Sequence, residues 1–211
     1  MIVDPWVLLA FVPAALALNL TPGADMMFCL GQGLRAGPRP AVAASAGISA
    51  GVFVHAGVAG IGLSAVIAAM PGALDVIRWV GVGYLLVLAV QALRAGPIGA
   101  GMARQVRPRA AWRAFGQGLA VNLTNPKVIL FVLAFVPQFV DPARGAVLGQ
   151  FVVYGAVMAL GGFVINGAVG VFAAGAAGRL TGNPAVARAL GWISAGIFTG
   201  LALRLALMQK G

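Results

Sequence analysis

Apolar positions fall in six long blocks, at residues 6–34, 40–70, 76–93, 114–135, 147–177 and 187–207, separated by stretches of which the first, third and fifth are basic. About 30 Å of hydrocarbon takes roughly 20 apolar residues to cross as a helix, so each block predicts one transmembrane span. The first and fourth are not continuous. Asn19-Leu20-Thr21-Pro22-Gly23-Ala24-Asp25 interrupts one, and Asn122-Leu123-Thr124-Asn125-Pro126-Lys127 interrupts the other. Proline has no N–H to offer and clashes with the preceding turn. Spans one and four are therefore predicted as discontinuous helices, broken at Pro22 and Pro126.

Recurrence of Asn-Leu-Thr and a following proline at matching depth divides the chain into two repeats. Repeat one covers 1–95 and repeat two 112–211, joined by a basic, Gly/Pro-rich linker at 96–111 within a single transmembrane domain, 1–211. Each repeat holds three spans, an odd number, so the second enters the membrane upside down. An inverted repeat with broken helices at the midplane is a secondary-transporter architecture. Loop charge sets the expected orientation. Loops after spans one, three and five carry Arg35, Arg39, Arg94, Arg104, Arg107, Arg109, Arg113, Arg179 and Arg188 without an acid. The opposite side mixes Arg78, Arg144, Arg204 and Lys210 with Asp4, Asp75 and Asp141. The positive-inside bias puts both termini outside.

Composition sharpens the class. Hydrophobic residues make up 61% of the 211 and charged residues 9%, against about 45–50% and 25% in soluble domains. The mean hydropathy is +1.00. A net charge of +10 raises the question of nucleic acid. The bases, however, are scattered between apolar runs with no stacking aromatics, which fits loop bias and no nucleic-acid partner. The N-terminus lacks a basic n-region and carries Asp4, so no removable signal peptide is expected. Cys29 is the one cysteine, which rules out an internal disulfide and suits a small apolar helix residue.

The chemistry concentrates at the two interruptions. Thr21-Pro22 and Asn125-Pro126 read as N-cap and N1 positions of new half-helices, whose first N–H groups are open to an anion. Irregular backbone is tolerable in a membrane only facing protein or a wet cavity, so both breaks are expected to face inward. Asp25 sits where the helix dipole favours a carboxylate, and Lys127 where it disfavours an ammonium. A charge at the bilayer centre costs at least about 2.5–3.5 kcal/mol. Either the two charges pair with each other, or each binds the complementary group of a substrate. Asn19, Thr21, Pro22, Gly23, Asn122, Thr124, Asn125 and Pro126 complete this substrate-binding and coupling set. His55 is either a proton relay or a hydrogen-bonded packing residue. Gln138 and Asn166 either line the cavity or satisfy broken backbone. Gly47/Gly51 and Gly196/Gly200 form GxxxG pairs, whose smooth faces serve close helix packing or let helices slide; a homo-oligomer stays open.

At these residues the sequence resembles the LysE/RhtB-type amino-acid exporters. Residues 19–25 are similar to the family's first-helix motif, NLTPGPD, with Ala24 in place of its second proline. Gly33-Leu34-Arg35-Ala36-Gly37 resembles its glycine-and-arginine loop, and Gly47, Gly51 and His55 its second helix. Residues 122–142, NLTNPKVILFVLAFVPQFVDP, are the most specific match. The resemblance implies amino-acid export across the bacterial inner membrane by proton antiport, with an amino acid and a proton as partners and no cofactor. The lack of a second evident intramembrane acid favours neutral amino acids or homoserine-like molecules.

Three alternatives stay open from the residues. A metal-ion exporter of related architecture would need clustered His, Cys or oxygen ligands, and the chain offers one His and one Cys. A membrane enzyme would need acid/base groups close together, which isolated Asp residues and no Glu do not suggest. A channel-like or structural protein would differ in failing to accumulate a solute.

Overall fold

The computed structural model describes residues 2–69, 73–94, 111–176 and 184–207, and every regular element among them is helical. The predicted linker lies almost wholly outside the described residues. Helix α1, Pro5–Leu20, begins where Asp4 accepts the Trp6 N–H at 2.8 Å ahead of Pro5 at N1. It stops at Leu20 because Pro22 has no N–H for the Leu18 carbonyl. Thr21 and Gly23 are extended, and α2 resumes at Ala24 and runs to Ala36. Gly37, at φ +88°, then turns the chain into α3, a backbone conformation that glycine adopts without strain.

The second break repeats the first. Helix α5, Ala111–Leu123, gives way to α6, Pro126–Leu130, which continues as a π turn over Phe131–Phe135 and a 3-10 turn over Val136–Phe139. Each pair bends by 53° at its break. Helices α3, Pro38–Ala69, and α7, Val147–Ala176, are long and apolar enough to cross a membrane; counting each bent pair as one span makes four crossings. Helices α4, Ala73–Arg94, and α8, Pro184–Leu207, coincide with the third and sixth apolar blocks and pack on each other. Their 22 and 24 residues give lengths of about 33 and 36 Å.

Helix α3 lies at the centre, against α7 on one side and α5 on the other. Glycine lets these backbones approach. A Cβ at Gly47 would run into the Phe115 carbonyl, and one at Gly118 into that of Ala44. Ser45 and Ser49 donate across the other face to Phe163 O and Ala159 O on α7, both at 2.9 Å. The first GxxxG pair thus serves internal packing: Gly47 meets α5, and Gly51 meets the side chain of Asn122. At Gly196 and Gly200, by contrast, no described atom lies within 4 Å of where a Cβ would sit.

At the end of the molecule that holds Asp4, a buried aromatic cluster joins α1, the second half of span four and α7. Phe11 meets Phe131, Phe135, Phe139 and Tyr154 with ring centroids 4.8 to 6.4 Å apart. Residues four apart on an α-helix drift by about 40° around its axis. The wider π turn counters that drift, so Phe131, Phe135 and Phe139 all reach Phe11. Above them Arg144 bridges Asp4 at 3.0 Å and Asp141 at 3.2 Å, tying the start of span one to the end of span four.

Candidate functional site

The two breaks meet in the interior. Asp25, in the first turn of α2, is 7% exposed; Asn122, in the last turn of α5, is fully buried. Asn122 Nδ2 donates to Asp25 Oδ2 at 2.9 Å. That contact orients the amide, since a carboxylate can only accept. The other oxygen of each partner, Asp25 Oδ1 and Asn122 Oδ1, is buried without a hydrogen-bond partner, as are Asn125 Nδ2, three residues on from Asn122, and Gln117 Oε1, five residues before it. Unpaired polar atoms are costly in a low-dielectric interior.

Each proline leaves a carbonyl four residues back without its helical N–H, and a side chain from another helix reaches it. Pro22 strips Leu18 O, and Lys127 Nζ donates there at 2.9 Å and to Thr21 O at 2.9 Å. Pro126 strips Asn122 O, and His55 Nε2 lies 3.1 Å from it, alongside a tight bond from the Asn125 N–H at 3.0 Å. A carbonyl has no proton to give, so Nε2 carries the hydrogen. Gly23 makes room for the lysine: a Cβ there would lie 3.2 Å from Nζ. Likewise a Cβ at Gly51 would lie 2.5 Å from Asn122 Oδ1. Small residues stand where polar side chains must enter.

Each of the two charges has hydrogen-bond partners of its own. Asn122 holds the carboxylate, and carbonyls of span one hold the ammonium.

The capping expectation holds at one break and fails at the other. Asn125 is the N-cap of α6, its Oδ1 accepting the Lys127 N–H at 3.0 Å ahead of Pro126 at N1. Thr21 is not an N-cap. It ends α1, its hydroxyl donating back to Ala17 O at 2.6 Å, and the N-cap of α2 is Gly23, which has no side chain to donate or accept. With its hydroxyl committed to the preceding turn, Thr21 contributes its carbonyl to Lys127 instead.

The remaining candidates scatter. Asn19 donates to Met158 O on α7 at 3.1 Å, in a gap left by Gly161 and Gly162. Asn166 is buried further along α7. Thr124 is exposed and bonds back to Ala120 O at 2.9 Å, away from the cluster. Gln138 leans on its own segment at Ala134 O, 3.4 Å away. Ser45, Ser49 and Gln150 are polar positions that sequence reasoning passed over. The i,i+4 stripes Ser45/Ser49 and Gly47/Gly51/His55 were the available signal. Gln150 bonds both the N–H and the carbonyl of Asp141 at 2.8 Å, bracing the Arg144 bridge. Among the described residues no three of His, Cys, Asp or Glu gather in a group that could hold a metal ion.

Residues 16–209 match the family of LysE type translocators. A Vibrio cholerae membrane protein of uncharacterised function is 34% identical over 142 residues, 67% of this chain and 68% of its own length. A homoserine/homoserine lactone efflux protein of Salmonella typhimurium is 33% identical over 147 residues, 69% of this chain and 70% of its own. A leucine efflux protein of Salmonella choleraesuis is 29% identical over 131 residues, 62% of each chain. No solved structure matches.

Proposed function

The chain belongs to the LysE type translocators, and on that premise we propose that it is a secondary transporter exporting neutral amino acids or their homoserine-like derivatives across the bacterial inner membrane. Proton antiport energises export, and access alternates between the two faces. The observation that carries this proposal is Asp25: a carboxylate 7% exposed, with one oxygen on Asn122 and the other without a partner. A substrate ammonium or a proton can take the open oxygen, but not both, and that competition is what antiport requires. Asn122 Oδ1 adds a second acceptor for the ammonium, while Asn125 Nδ2 offers a donor to the α-carboxylate. Lys127 holds the broken end of span one and supplies positive charge beside it.

Six spans in two inverted repeats suit this role. Support comes from the equal bends at Pro22 and Pro126 and from each broken pair lying on the long helix of the other half, α1 and α2 on α7 and α5 on α3. The loop arginines then face the cytoplasm and both termini the periplasm. Asp25 is buried, so an alternating cycle would have to open it to each face in turn. The export relatives support the substrate class.

The test uses inside-out vesicles with an imposed pH gradient and labelled homoserine or leucine, with unlabelled amino acids as competitors. The parent should accumulate substrate against its gradient. Asp25→Asn, inserted to the same level, should lose the pH-driven component. Full pH-driven uptake by Asp25→Asn would remove Asp25 from the coupling centre.

A further inference from the structure

We propose that His55 is a positioning residue of this site, holding span four at its break so that Asn122 can hold Asp25, and that it exchanges no proton during transport. The inference rests on the assignment of Asp25 and Asn122 to the substrate site. Asn122 works at both of its ends. Its side chain donates to Asp25 Oδ2 at 2.9 Å, and its backbone carbonyl meets His55 Nε2 at 3.1 Å. That carbonyl is the one Pro126 cannot bond. Among the described residues the ring therefore reaches the carboxylate through backbone and amide alone, neither of which passes a proton on.

The surroundings are built around the same residue. Gly51, one turn before His55 on α3, leaves the space that the Asn122 side chain fills. Gly47, a further turn back, brings the α5 backbone against α3. The stripe Gly47, Gly51, His55 thus works as one device: two glycines admit α5, and the imidazole closes the contact with a hydrogen bond. Lys127 does the corresponding work at the other break, donating to the carbonyl that Pro22 leaves bare. Each broken span is held by a donor from a different helix.

The chain has one histidine, which makes the test unambiguous. His55→Gln places an amide N–H near the position of Nε2 but cannot titrate; His55→Leu fills the space without a donor. With Asp25→Asn run in parallel, export should persist in His55→Gln with the parent's pH profile. In His55→Leu it should fall about fivefold to tenfold, the scale of one lost buried hydrogen bond. The proposal is overturned if His55→Gln loses export or shifts its pH profile as far as His55→Leu does, or if His55→Leu exports like the parent. Should Asp25→Asn also export normally, the site assignment fails, independently of His55.

Discussion

Replacing Asn122 with leucine removes the one hydrogen bond that the Asp25 carboxylate accepts among the described residues. The position is fully buried and the two side chains are similar in shape, so packing should change little. A 2.9 Å bond from an amide to a carboxylate belongs to a class worth about 1.5–3 kcal/mol. The other carboxylate oxygen has no partner to compensate. Stability should therefore fall by about 1.5–3 kcal/mol, read from reversible unfolding in mixed micelles. The decisive measurement is a double-mutant cycle with Asp25→Leu. Once the carboxylate is gone, the amide serves nothing, and Asn122→Leu should then cost little. Uncoupled sites add within roughly 0.3–0.5 kcal/mol. Additivity at that level would refute the claim that Asn122 holds Asp25.

Three further outcomes follow from the same geometry. Gly118→Val should block the approach of α5 to α3, since its Cβ would collide with the Ala44 carbonyl; the expected result is a drop in folded yield, visible by size-exclusion chromatography in detergent, that Ala120→Val at an exposed position does not cause. Asn125→Ala should cost about 1 kcal/mol, as a lost N-cap, and weaken binding of substrates that carry a free carboxylate in a competition assay. Arg144→Ala should cost under about 1 kcal/mol, with the difference shrinking in high salt, because Arg144, Asp4 and Asp141 side chains are 42, 31 and 49% exposed; thermal unfolding at two salt concentrations measures it.

Local covalent chemistry made much of this protein legible before any coordinates. A proline's missing N–H is a property of the residue itself, so the breaks at Pro22 and Pro126 could be placed to the residue. The hydrocarbon thickness is an external ruler, so run lengths alone assigned the membrane class and marked out the regions that became α1 to α8. Asn125 as an N-cap was readable because the residue and the N–H it serves are two positions apart. Thr21 misled for a related reason: a threonine before a proline can cap forward or bond back. The i−4 carbonyl of Ala17 won.

What the tertiary structure alone decided is which groups satisfy the broken ends. Leu18 O is taken by a lysine 109 positions away, and Asn122 O by a histidine 67 positions away. No local pattern encodes those pairings, because they depend on α3, α5 and α7 approaching closely enough for side chains to cross between helices. The same packing brought Lys127 to the carbonyls of Leu18 and Thr21 and left one Asp25 oxygen without a hydrogen-bond partner. From the sequence came two breaks and two charges; the fold gave each charge its hydrogen-bond partners, Asn122 for Asp25 and the Leu18 and Thr21 carbonyls for Lys127, because only packing brings groups so far apart in the chain within reach.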